Sequence, residues 1–277
     1  MERPSLKKVA MLPTLVTLGN AVCGFAAIAY AGRVGLSNST AAEDNYYIAL
    51  SGWLIIAAMI FDVLDGYIAR LARSTSLFGA ELDSLCDAVS FGAAPAFLLL
   101  RLGPSWEAPL FHQMLAVIAT LYLVCAVLRL ARFNVENQPD APGGKRFRGL
   151  PSPAAAGCIA SLGILRGGLL YRWPDLDPLV VRNLVEVWST VGAFLVALLM
   201  VSRVPYPHLT KYLLRGRRHF DQLILLVVAG FVVAFIKELA LAAIFWGYVI
   251  VILMQGAWDR IRSHELVTSA ADDPMRR

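Results

Sequence analysis

The sequence predicts an all-α polytopic membrane bundle of about eight transmembrane helices with both termini in the cytoplasm. Three observations carry this. Of 277 residues, 58% are hydrophobic and only 16% charged, with a mean hydropathy of +0.62, whereas a soluble domain carries roughly 25% charged residues. The apolar residues are gathered into runs of membrane-crossing length. Lysine and arginine, finally, collect in alternate loops between those runs.

In chain order, the predicted spans are about Leu15–Ala31, Ile48–Ala69, Leu85–Leu100, Met114–Leu130, Pro153–Leu170, Leu184–Val201, Leu223–Phe235 and Leu239–Gln255. Arg33–Asn45 is a polar connection, and Ser74, Thr75 and Ser76 supply a bend after the second span. Pro104 and Pro109 mark the next turn, and Arg132–Leu150, rich in Gly, Pro and polar residues, reads as the longest loop. Pro153 sits where a first-turn proline is tolerated. The seventh span is short, and Lys237-Glu238 requires a tight turn after it. Residues 1–258 read as one transmembrane domain and 259–277 as a polar cytoplasmic tail.

With the amino terminus inside, the cytoplasmic segments hold 19 of the 25 Lys and Arg and the outer segments hold 6. That ratio favours an even number of spans, because losing one helix scrambles every later loop. The basic balance, net charge +5, is thereby explained without nucleic acid as a partner. Lys211, Arg215, Arg217 and Arg218 are placed to meet anionic lipid headgroups. Cys23, Cys86, Cys125 and Cys158 lie in apolar runs and form no CxxC pair, so neither disulfide nor zinc site is predicted. The run after the basic start lacks a cleavage site and reads as a first span. Together these place the protein in the cell (inner or plasma) membrane.

Asp62, Asp65, Asp83 and Asp87 stand where the second and third spans meet. Ionisable groups at such a position are expensive in lipid and point to function. Spacings of three and four put each pair on one helix face. Two facing pairs form an oxygen-rich cage for hard divalent cations such as Mg²⁺ or Mn²⁺, and two ions balance four negative charges. No histidine accompanies the acids, which disfavours zinc. Gly66, Ala69 and Gly79 are small residues that let a ligand or helix approach, and Arg70 offers a fork for phosphate. Cations with an arginine suggest phosphoryl-type chemistry. Two other readings stand beside it: ordinary helix-end charges, and a cation-coupled transporter, which the position near one membrane face disfavours.

The spaced pattern Asp62-x2-Asp65-Gly66-x2-Ala69-Arg70-x8-Gly79-x3-Asp83-x3-Asp87 resembles, with no position missing, the signature of the CDP-alcohol phosphatidyltransferase family. The resemblance implies a membrane enzyme, usually a homodimer, that moves a phosphatidyl or related group from a CDP-linked donor to an alcohol and releases CMP. It implies that the aspartates ligand two divalent ions and that Asp87 is general base on the acceptor hydroxyl. It further implies that Gly66, Ala69 and Gly79 line the cytidine site, with Arg70 on the donor phosphates. Three further features resemble the phosphatidylserine synthase branch: Leu12–Asn20 with Gly24, Arg129–Asn134, and Phe147–Pro153 together with Met200–Ser202 and Tyr206-Pro207.

The expected donor is then CDP-diacylglycerol, bound by Thr17, Asn20, Asp62, Asp65, Gly66, Ala69, Arg70 and Gly79. The expected acceptor is L-serine, whose carboxylate needs a cationic partner, with Arg132, Asn134 and Arg148 as candidates. No nucleophile–base pair flanks the acids apart from Ser84 and Ser90, so direct displacement is expected over a covalent intermediate. Glycerol 3-phosphate and inositol phosphate are the rival acceptors, since Lys145, Arg146 and Arg148 offer a phosphate-binding cluster.

Overall fold

A computed structural model describes residues 5–36, 39–72, 77–103, 109–136, 149–172, 177–202 and 238–254. Among them the regular structure is entirely helical. The elements are α1 (Ser5–Ala31), α2 (Ala41–Ala72), α3 (Leu77–Asp87), a π-helical segment (Ala88–Ala93), α4 (Ala94–Leu102), α5 (Pro109–Glu136), α6 (Ser152–Arg172) and α7 (Pro178–Val201). A further apolar helix, α8, covers Glu238–Met254. The α3–π–α4 series is one continuous span over Phe78–Leu102. Among the described residues, five helices are long and apolar enough to cross a membrane: α1, α2, the α3–π–α4 series, α5 and α7. The predicted seventh span, Leu223–Phe235, the basic loop and the tail lie outside the described residues, as does the Ser74–Ser76 bend.

Local chemistry explains where the helices begin and end. Thr40 and Glu43 form a reciprocal cap on α2: Glu43 Oε2 accepts from the Thr40 N–H at 2.7 Å, and Thr40 Oγ1 accepts from the Glu43 N–H at 3.3 Å. Asp177 caps α7 by accepting the Leu179 N–H at 2.9 Å, with Pro178 in the first turn. Gly149, at φ +88°, turns the chain into α6 in the left-handed region, where a Cβ would meet the Met200 carbonyl. The Leu150 N–H then bonds the Leu199 carbonyl at 3.1 Å, tying the entrance of α6 to the end of α7.

Several helices start or end five to ten residues outside the expected spans, and two of these differences bear on the acids. The third span starts at Leu77, not Leu85, so Asp83 and Asp87 stand in its second and third turns and not at its start. The segment Leu77–Leu85 mixes apolar and acidic residues, and an apolar-run criterion passes over it. The helix α5 likewise continues through Arg132–Glu136, which the sequence assigned to the following loop.

The core gathers around α6, which is buried on all sides from Ala155 to Ile164. Small residues make that position possible. A Cβ on Gly52 of α2 would press on the Ala160 carbonyl, and one on Gly167 would press on the Asn45 carbonyl, so α2 and α6 approach backbone to backbone. Being poor in large apolar side chains, α6 is also less hydrophobic than its neighbours, although it is the most enclosed.

One end of the bundle is closed by a buried polar clasp. Glu186, only 2% exposed, lies 4.0 Å from Arg166 Nη1 and 3.4 Å from Arg182 Nε. Arg166 also donates Nε–H to Asn45 Oδ1 at 3.1 Å. The clasp joins α2, α6 and α7 about 17 residues before Asp62 on α2, roughly 25 Å along the helix. The four acids therefore occupy the other end.

Candidate active site

Helices α2 and α3 bring Asp62, Asp83 and Asp87 together: each offers one carboxylate oxygen, and the three lie within 4.8 Å of one another. Of the two pairs anticipated from the spacing, both members of the second and Asp62 of the first meet in this way. Asp65 lies outside this tight group. It is 6% exposed and hydrogen-bonded by the Thr17 side chain of α1. Asn20, one turn further along α1 and fully buried, donates Nδ2–H to Asp87 Oδ1 at 3.0 Å. Thr17 and Asn20 therefore reach the acids themselves, a contact that the sequence reading did not include.

The arrangement fits hard cations on a direct observation. Asp65 Oδ2, Asp83 Oδ1 and Asn20 Oδ1 are buried oxygens with no hydrogen-bond partner among the described residues, and such atoms carry a large cost unless something else satisfies them. All are hard oxygen donors, and the acids converge with like charge. Divalent cations of the Mg²⁺ or Mn²⁺ type match both features.

Of the other predicted residues, Gly66 and Gly79 are half-buried beside the acids on α2 and α3. The backbones of Ala69 and Arg70 belong to α2, and their side chains lie outside the described residues, as does Arg148. Asn134 reaches back to α3, where its Nδ2 and the Ser84 Oγ are 2.8 Å apart, next to Asp83. Arg132 is half-buried at the end of α5.

Arg129 is the cation that sequence reasoning underrated. It lies one turn before Arg132 and within electrostatic reach of Asp87 and Asp62. It donates from Nη1 to Ser152 Oγ, and its guanidinium stands 5.8 Å from the Phe133 ring centroid. Tyr248 of α8 is a further electrostatic neighbour. Arg129 and Arg132 are three apart on one helix face, but spacing alone did not say which of them faces the acids. Ser152, wholly buried, is a second residue missed as a site candidate; it lies at the end of the Phe147–Pro153 stretch, between Pro151 and Pro153.

The family model described as CDP-alcohol phosphatidyltransferase matches residues 10–196. The chain is similar to a CDP-diacylglycerol–serine O-phosphatidyltransferase of Helicobacter pylori, 28% identical over 86% of each chain. It is 35% identical to one from Methanocaldococcus jannaschii over 73% of this chain and 77% of that one. A Bacillus subtilis protein of the same name is 29% identical over 73% of this chain and 92% of its own length.

Proposed function

Because the chain belongs to the CDP-alcohol phosphatidyltransferase family, we propose that it transfers the phosphatidyl group of CDP-diacylglycerol to the hydroxyl of L-serine, giving phosphatidylserine and CMP. The observation that carries the reading is the convergence of Asp62, Asp83 and Asp87 beside Arg129 at one end of a lipid-embedded bundle. Its relatives' names support serine as the acceptor.

Asp62, Asp65, Asp83 and Asp87 are the residues that would hold two divalent cations. When bound, these supply charge neutralisation at the transferring and leaving phosphates. Asp87 is the proposed base: it accepts the serine hydroxyl proton while the hydroxyl oxygen forms a bond to the phosphatidyl phosphorus. The phosphorus–oxygen bond to CMP breaks in the same displacement. Asn20 holds one Asp87 oxygen and so orients the other. Thr17, Asn20, Gly66, Ala69, Arg70 and Gly79 are proposed to receive the nucleotide end of the donor. For the serine carboxylate we favour Arg129, already fixed by Ser152, over Arg132 and Arg148; Asn134 acts through Ser84 on the position of α3.

The distribution of Lys and Arg supports an orientation with this end, and both termini, in the cytoplasm. The resemblance further suggests a homodimer in the cell membrane.

The test is CMP release by the purified protein in lipid–detergent micelles with CDP-diacylglycerol and serine, glycerol 3-phosphate or inositol phosphate. Release is expected to need Mg²⁺ or Mn²⁺, to stop with a chelator, and to be fastest with serine. Equal or faster release with a phosphorylated alcohol would overturn the serine assignment. No release with any alcohol would favour a cation-coupled transporter instead.

A further inference from the structure

The span that carries Asp83 and Asp87 is not a uniform helix. Directly after Asp87 it widens into a π segment, Ala88–Ala93, with the Ala94 N–H bonded to the Val89 carbonyl. The cause lies one turn on. Pro95 has no N–H to offer the Phe91 carbonyl four residues back, and its ring crowds that carbonyl in a regular helix. Widening relieves the clash and leaves the Phe91 carbonyl to be satisfied from elsewhere. Tyr122 of α5, fully buried, does so through its hydroxyl at 3.0 Å.

The π segment also grips α1. Ser90, fully buried, donates Oγ–H to the Asn20 carbonyl at 2.9 Å, while the Asn20 side chain donates to Asp87. One residue of α1 is thus held twice by one stretch of the third span, through its backbone by Ser90 and through its side chain by Asp87. Gly24, a turn beyond Asn20, admits this approach: a Cβ there would lie 2.7 Å from the Ser90 Cα.

We propose that Ser90 and Tyr122 are positioning residues, which through the π segment and Asn20 set the direction of the Asp87 carboxylate. The bland alternative is that both hydrogen bonds only stabilise the packing of α1 and α5 on the third span. The two differ in what they predict. Positioning acts on turnover through Asn20, whereas packing acts on stability and is indifferent to the Asn20 side chain.

The proposal rests on the reading of Asp87 as base, and the test keeps the two apart. The full-length chain is assayed for CMP release with Ser90→Ala, Tyr122→Phe, Asn20→Ala, the Ser90→Ala/Asn20→Ala pair and Asp87→Asn, with thermal unfolding of each. Ser90→Ala and Tyr122→Phe are expected to lower kcat about 5- to 30-fold with KM for both substrates within twofold. The double variant is expected to be no slower than Asn20→Ala alone, because both changes act on one linkage. Multiplicative losses in the double variant, or kcat within twofold of the parent in both single variants, would overturn the proposal while leaving the role of Asp87 intact. Full turnover in Asp87→Asn would instead refute the base, independently of the coupling between Ser90 and Asn20. If Ser90→Ala does not fold, Tyr122→Phe, which removes one hydroxyl, carries the same expectation: unchanged kcat there overturns the proposal.

Discussion

Replacing Asn20 by alanine separates catalysis from stability more cleanly than any other single change in this site. The side chain is wholly buried, its Nδ2 donates to Asp87 at 3.0 Å, and its Oδ1 has no partner among the described residues. Removing a hydrogen bond to an ionised group costs about 1.5–3 kcal/mol. If that interaction orients Asp87 in the transition state, turnover falls roughly 10- to 150-fold at 1.36 kcal/mol per decade. Folding stability responds differently. Truncation loses packing and the bond to Asp87, but it also removes a buried oxygen that has no partner among the described residues, worth about 1–3 kcal/mol of penalty, so the effects oppose and the unfolding temperature changes little. Initial rates of CMP release against donor and acceptor concentration, beside a thermal unfolding curve, read both quantities. The expected result is a fall in kcat with a nearly unchanged unfolding transition. Asn20→Asp is expected to be slower still in limiting cation, since it sets a second carboxylate against Asp87. A stable Asn20→Ala protein with kcat within twofold of the parent would refute the reasoning. A rise in donor KM at constant kcat would show that the amide serves the nucleotide and not Asp87.

Three further outcomes follow from the same geometry. Asp87→Asn is expected to lower turnover by 10²-fold or more, the range a lost general base commands, while donor binding measured by equilibrium titration stays within a few fold. Arg129→Gln is expected to raise the serine KM by about tenfold or more and to affect the donor KM less; an unchanged serine KM would return Arg132 to first place. Gly24→Ala is expected to destabilise the bundle by about 1–3 kcal/mol, read as a lowered unfolding temperature, because the added methyl meets the Ser90 hydroxyl and also, at 2.7 Å, the Ser90 Cα, which cannot turn away.

Much of this was legible in the chain itself, for physical reasons that can be named. Lipid demands long apolar runs, so the spans announce themselves. The same solvent makes Asp62, Asp65, Asp83 and Asp87 conspicuous, and spacings of three and four reveal their shared faces. Less legible was anything decided between helices. The first two turns of the third span carry Glu81, Asp83 and Ser84 and look like loop until α5 and Asn134 are seen to meet them. The choice of Arg129 over Arg132 depends on the rotation of α5, which two arginines on one face do not disclose. Asn20 could be marked as important from its motif, but its hydrogen bond to Asp87 depends on how closely α1 approaches, and that is fixed by Gly24 and Ser90. Pro95 did carry a signal. A proline eight residues after an acid, inside an otherwise unbroken apolar run, announces an interrupted helix.

The clasp of Arg166, Arg182 and Glu186 has a consequence for how the chain assembles. Glu186 offsets one of the two arginine charges within the protein, so that end of the bundle can close as soon as α2, α6 and α7 meet. The opposite end gathers acids that repel one another unless a cation is held between them. Order during biogenesis is therefore expected to spread from the clasp towards the carboxylates, with the supply of divalent ions governing the last step and not the first.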